Sequence, residues 1–172
     1  MSTQITTDRL VLRPVEASDA ARIADLVNDP RVYRMVARIP ANQTVAQTLA
    51  WIAGHTAGRG ENTKHPYAIV ENGELVGVTS AHRDSTWLPF EIGYWLSPDR
   101  WGNGLMTEAT EALVGWLKQR GERGFVEVVL ATIVADEAAA EPAAAAGAVV
   151  QVSRDATTDV RQPGAEVRIL GV

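Results

Sequence analysis

The chain has 172 residues, is 46% hydrophobic and 22% charged, carries a net charge of −5 and contains no cysteine. These figures fit one globular domain with a sizeable core. They exclude a disulfide frame, a thiolate nucleophile and a cysteine-based zinc site. No Lys/Arg stripe marks a nucleic-acid surface, and "MSTQITTDRLVLRP" has charges where a signal peptide needs an apolar core. No apolar run nears the ~20 residues that span a bilayer. The expectation is a cytoplasmic protein with neither nucleic acid nor membrane as a partner.

Residues 9–13, "RLVLR", read as a first strand. Ser18 reads as the N-cap of a helix carrying Ala21, Ile23, Ala24, Leu26 and Val27. "NDP" at 28–30 ends that helix and lets Pro30 open another, since proline suits a first helical position. Thr44 and Gln47 make a capping-box pattern before a third helix with Val45, Leu49 and Ile52 as its apolar stripe. "YAIVENGELVGVTSA" reads as a hairpin turning at Asn72-Gly73.

"FEIGYWL", residues 90–96, is another strand, and its interior Gly93 suggests a bulge or a close approach by backbone or ligand. A helix follows to about Arg120, with Leu105, Ala109, Ala112, Leu113, Trp116 and Leu117 on one stripe and Gly121 as its stop. "FVEVVLATIV", 125–134, has the continuous apolar character of a strand covered on both faces. An alanine-rich segment and two final strands, "AVVQVS" and "AEVRILGV", complete one mixed α/β domain over 1–172.

"DRWGNGLMTEA", 99–109, places two glycines where a helix must nucleate, at a cost of about 1 kcal/mol per glycine relative to alanine. Unpaired N–H groups at such a helix start attract anions, and glycines let phosphate oxygens come close. A plain tight strand-to-helix turn is the alternative. No Walker lysine follows the glycines and no acidic residue sits at Rossmann spacing, which disfavours a nucleotide-binding domain.

"EIGYWLSPDRWGNGLMTEA", 91–109, closely resembles the acyl-CoA loop of the GNAT (Gcn5-related) N-acetyltransferases, particularly the Rim-type branch of ribosomal-protein N-terminal acetyltransferases. "TDRLVLRPVEASDAARIADLVNDPRVYRMV" and "YAIVENGELVGVTS" match the same branch, so the resemblance covers roughly residues 5–135. It implies a mostly antiparallel mixed sheet with helices on both faces and a splay between the strands near 90–96 and 125–133.

By resemblance, backbone N–H groups of Trp101, Gly102, Asn103, Gly104, Leu105 and Met106 hold the pyrophosphate of acetyl-CoA, and the backbone of Tyr94, Trp95 and Leu96 holds its pantetheine arm. The implied reaction is direct attack by a primary amine within a ternary complex. Such an amine has a pKa of about 8 to 10 and needs a base. Glu91 matches the glutamate that the branch places on this strand; a solvent-facing glutamate is the alternative. The implied acceptor is a small amine or a protein N-terminus, and a homodimer is a candidate assembly.

The family pattern breaks after the strand at 125–134. Its usual N-x-x-S falls on Asp136 and Ala139, or on Glu137 and Ala140 in the shifted register, so the pantetheine-holding Asn and the general-acid Ser are both missing. A non-catalytic acyl-CoA-binding or interaction protein is therefore the alternative function. His55, His65 and His82 lack metal-ligand spacing and read as surface or capping residues, with His82 at a strand end where it could face substrate. Tyr33, Arg34 and Trp87 lie in segments that line the acceptor side in the family, Trp87 having packing as its alternative. Trp51 and Trp116 read as core.

Overall fold

A computed structural model of the chain describes residues 4–36, 39–88 and 90–122, with the backbone of 127–128. The elements are β1 (Ile5–Thr6), β2 (Leu10–Pro14), α1 (Ala20–Val27), α2 (Pro30–Tyr33), α3 (Val45–Gly60), β3 (Lys64–Glu71), β4 (Glu74–His82), β5 (Glu91–Leu96), α4 (Leu105–Gln119) and β6 (Glu127–Val128). The strands form one sheet in chain order. Every neighbouring pair is antiparallel except β5–β6, which is parallel.

Side-chain alternation along this sheet makes two cores. Leu10, Leu12, Tyr67, Ile69, Ala81, Ile92 and Leu96 meet Leu105, Ala109, Leu113 and Leu117 of α4. Ala68, Val78 and Trp95 on the opposite face meet Ala20, Ile23 and Val27 of α1, Val32 of α2 and Ile52 of α3. Helices thus cover both faces, as expected. The strand at 125–134 is described only where Glu127 and Val128 pair with Glu91 and Ile92, so the expected splay, the alanine-rich segment and the final strands lie outside the described residues.

The hairpin turns at Asn72 (φ 50°) and Gly73 (φ 84°), the two positive φ values that a tight turn between twisted strands requires. Gly93 makes no bulge: the β4–β5 ladder runs unbroken from Gly77↔Leu96 to His82↔Glu91. The irregularity sits between β3 and β4 at Ile69/Val70 instead. The close backbone approach belongs to Gly77, where a Cβ would stand 2.5 Å from the Trp95 carbonyl oxygen.

Two local expectations give way to tertiary contacts. Ser18 lies inside a short 3₁₀ turn, Ala17–Asp19, and α1 begins after it. The Asp19 carboxylate accepts from the Glu16 N–H at 2.8 Å and closes that turn, while α1 itself has no side-chain cap. Its buried carboxylate is held below the usual range by the Arg13 guanidinium at 2.7 Å and the Glu16 N–H, against the opposing effect of burial. In α3 the Thr44–Gln47 capping box forms, but Val45 and Leu49 are exposed. The inward face carries Thr48 and Ile52, and the Thr48 hydroxyl is satisfied by the Thr44 carbonyl at 3.2 Å and the Gln43 amide at 2.8 Å. Trp51 and Trp116 are half-buried, Trp116 packing at the edge of the α4 core.

Candidate active site

β5 delivers one end of the site. Ile92, Tyr94 and Leu96 face α4, so Glu91, Gly93 and Trp95 face the α1–α3 side. There Glu91 meets His82, its cross-strand partner on β4, with Nε2 to Oε2 at 3.0 Å. A Cβ at Gly93 would make ordinary contacts with Ser80 Oγ at 3.5 Å and His82 Cε1 at 3.9 Å, so protein packing does not demand glycine there. Glu91 and His82 both keep solvent access, at 42% and 27% of their side chains.

A rigid turn links β5 to α4. The Trp101 indole N–H donates to the Leu96 carbonyl at 2.8 Å, tying the loop to the strand end. The Ser97 hydroxyl donates to the Asp99 carboxylate. The Asn103 amide donates to the carbonyls of Arg100 and Trp101 at 3.2 and 3.3 Å. The Trp101 N–H closes the 3₁₀ turn Pro98–Arg100 onto the Pro98 carbonyl at 3.3 Å.

Beyond that point the N–H groups change character. Gly102 (φ 77°) and Gly104 (φ 71°) are left-handed, and Gly104, the N-cap of α4, offers no side-chain cap. The N–H groups of residues 102–107 have no protein acceptor among the described residues. α2 and α3, by contrast, are capped by Asp29 and by the Thr44–Gln47 box. The α4 N-terminus therefore presents a row of donors at the positive end of a helix dipole, the arrangement that binds an anion.

The loop is held by residues that no motif singles out. Arg9 donates from Nη1 to the Asn103 carbonyl at 2.8 Å and from Nε to Glu108 Oε2 at 2.6 Å. Glu108 also accepts from the Thr7 hydroxyl at 2.5 Å and the Arg9 N–H at 3.1 Å. These donors, Thr7 foremost, hold its carboxyl below the usual range. "TDRL" and "TEA" stood in the family-like strings, but nothing local joins segments a hundred residues apart.

The histidines part company. His65 is buried at 4% exposure, contrary to the surface reading. His55 is half-buried and donates from Nδ1 to the Trp51 carbonyl at 2.8 Å, and burial lowers its pKa. His82 alone reaches Glu91. Tyr33 is half-buried, Arg34 exposed and Trp87 80% exposed, and no hydrogen bond or ion pair joins them to Glu91 or His82 among the described residues. The positions 136–140 lie outside the described residues. Among the described residues, no His, Asp and Glu cluster could hold a metal ion, and no helix is long and apolar enough to cross a membrane.

The family model described as an acetyltransferase (GNAT) domain matches residues 9–148. The chain belongs to the GNAT acetyltransferase family. This GNAT chain is 27% identical over 112 residues to the uncharacterized N-acetyltransferase p20 of Bacillus licheniformis, the match covering 64% of the chain and 63% of p20. The chain thus spans under two thirds of the length of that curated relative. Its fold is similar to that of RimL, a ribosomal L7/L12 alpha-N-protein acetyltransferase solved in complex with coenzyme A, with a TM-score of 0.65, 23% identity and coverage of 71% and 72% of the two chains. It is also similar to the microcin C7 self-immunity acetyltransferase MccE, solved with acetyl-CoA and AMP, with a TM-score of 0.61, 19% identity and coverage of 69% and 67%. At these identities the likeness is one of fold.

Proposed function

We propose that this chain is an acetyl-CoA-dependent N-acetyltransferase of the Rim-type branch, a single GNAT domain over 1–172 acting in the cytoplasm on a primary amine within a ternary complex. The observation that carries the reading is the row of acceptor-less N–H groups at 102–107, opened by two left-handed glycines. A pyrophosphate offers the oxygens those donors lack, so the residues fit the group. Bound acetyl-CoA supplies the acetyl group as a thioester.

On this reading Gly102, Asn103, Gly104, Leu105 and Met106 hold the phosphates, with Trp101 bracing the loop through Leu96. The backbone of Tyr94, Trp95 and Leu96 lies along the pantetheine arm. Glu91 takes the proton from the acceptor amine, and its place on the α1–α3 face supports an approach of the acceptor from that side of the sheet. The similarity in fold to RimL supports a protein N-terminus as acceptor, and the net charge of −5 favours cationic acceptors by steering. A homodimer is the proposed assembly.

The test is calorimetric titration with CoA, followed by a mass-spectrometric screen of amines and N-terminal peptides with acetyl-CoA. Binding and acetylated product are expected. No binding at millimolar CoA overturns the reading. Binding without turnover on any amine assigns the chain instead as an acyl-CoA-binding protein, the alternative raised by the missing Asn and Ser at 136–140.

A further inference from the structure

The loop "GNG", 102–104, has an intrinsic weakness. A peptide plane flanked by glycine rotates at little steric cost. Rotation of the plane between Asn103 and Gly104 would exchange the N–H of Gly104 for the carbonyl of Asn103 on the face that meets the ligand. A carbonyl dipole there would repel a phosphate, so the orientation of this one plane decides whether the loop attracts or rejects an anion.

The structure holds the plane from outside. Arg9 Nη1 donates to the Asn103 carbonyl oxygen at 2.8 Å. Described peptide bonds are all trans, so the Gly104 N–H points the opposite way from that carbonyl, away from Arg9. Arg9 is itself held: its Nε and Nη2 both lie 2.6 Å from Glu108 Oε2, and its own N–H donates to Oε1 at 3.1 Å. Thr7 completes the brace with its hydroxyl on Glu108 Oε1 at 2.5 Å. The planar fork of arginine serves carboxylate and carbonyl together, which the single ammonium of lysine does not.

We propose that Arg9, braced by Glu108 and Thr7, is a positioning residue for the CoA pyrophosphate, because it locks the Asn103–Gly104 peptide with the Gly104 N–H turned toward the phosphates. This rests on the CoA-binding reading above. It differs from simple charge attraction, since a lock needs the geometry of the fork and a charge does not.

The experiment measures CoA affinity by calorimetry for wild type, Arg9→Gln, Arg9→Lys and Glu108→Gln, alongside urea midpoints and amide spectra of ¹⁵N-labelled protein. Both Arg9 variants are expected to bind CoA about tenfold to a hundredfold more weakly, the effect of losing a charge-assisted hydrogen bond. Glu108→Gln is expected to fall between them and wild type, because an amide oxygen still accepts. The acceptor KM at saturating acetyl-CoA should hold, and the Gly104 amide resonance should shift with CoA in wild type far more than in the Arg9 variants. Wild-type affinity in Arg9→Lys would leave charge alone as the cause and overturn the lock. Wild-type affinity in Arg9→Gln overturns any role for Arg9 while leaving the CoA reading intact. Failure of the wild type to bind CoA removes both. Should Arg9→Gln not fold, Arg9→Lys and Glu108→Gln carry the decision.

Discussion

His82 and Glu91 stand directly opposite each other on β4 and β5, with Nε2 3.0 Å from Oε2, on the sheet face that looks toward α1–α3. The contact restrains a carboxylate at the end of a strand, where it would otherwise sample several rotamers. Both side chains remain partly exposed.

Glu91→Gln is expected to lower kcat by about 10²- to 10⁴-fold, the usual contribution of a general base. Glutamine keeps the size of the side chain but takes no proton. CoA affinity should be unchanged, because the proposed phosphate donors lie in residues 102–107. Steady-state kinetics with a confirmed acceptor checks this, and a drop of less than threefold would assign Glu91 to the solvent-facing alternative.

His82→Phe is expected to reduce kcat by a smaller factor, about threefold to tenfold, the worth of a partly exposed hydrogen bond to a charged group. If His82 acts through Glu91, the two changes will not add: the double variant should be no slower than Glu91→Gln alone. Additive losses in that double-mutant cycle would mean that His82 works on something other than the carboxylate.

Much of the framework was legible because its signals are local. Asn72-Gly73 dictates a hairpin, Thr44 and Gln47 cap α3, and the two glycines at 102 and 104 stand just before the α4 helix that their string announces. What escaped depends on partners that no local propensity or periodicity reveals. Ser18 lies inside the 3₁₀ turn Ala17–Asp19, whose Asp19 carboxylate binds Arg13 and the Glu16 N–H, and α1 starts without a side-chain cap. Val45 and Leu49 fit an apolar stripe, yet they are exposed and α3 buries Thr48 and Ile52 instead. The site divides the same way. Glu91 and the glycine loop were visible as motifs, whereas Arg9 and Glu108 acquire meaning only when β2 lies beside the start of α4.

Gly104→Val is expected to abolish measurable CoA binding in a protein that still folds. At φ 71° a branched L-residue is strained by about 1 to 2 kcal/mol, a loss a domain of ordinary stability survives. Space alone does not forbid the side chain, for the nearest atom to a Cβ is Arg9 Nη2 at 3.7 Å. The strain would relax by rotating the very peptide that presents the N–H. Circular dichroism and calorimetry on one preparation check both halves, and a folded variant with unchanged affinity would move the phosphates away from this loop.

The last expectation concerns pH and needs no ligand. His65 is enclosed by Phe90 and Trp116, with ring centroids at 5.5 and 5.3 Å, and donates from Nε2 to Asn62 Oδ1 at 2.8 Å. Burial, with the nearby Arg59, Arg120 and Arg83 adding to it, pushes its pKa down to about 4. In the unfolded chain the same group titrates near 6.5. The folded pKa lies below the unfolded one, so the unfolded state binds the extra proton as pH falls. Stability is then fully present above about pH 6.5 and declines toward pH 4, by at most about 1.4 kcal/mol per pH unit for this one proton. His55, whose pKa burial also lowers, acts in the same direction. His65→Gln keeps a donor for Asn62 and does not titrate. It should be less stable than wild type at pH 7.5 but show a shallower decline between pH 6.5 and 4.5. Urea midpoints at constant ionic strength across that range decide it, and parallel curves for the two proteins would mean that His65 takes up its proton in the folded state.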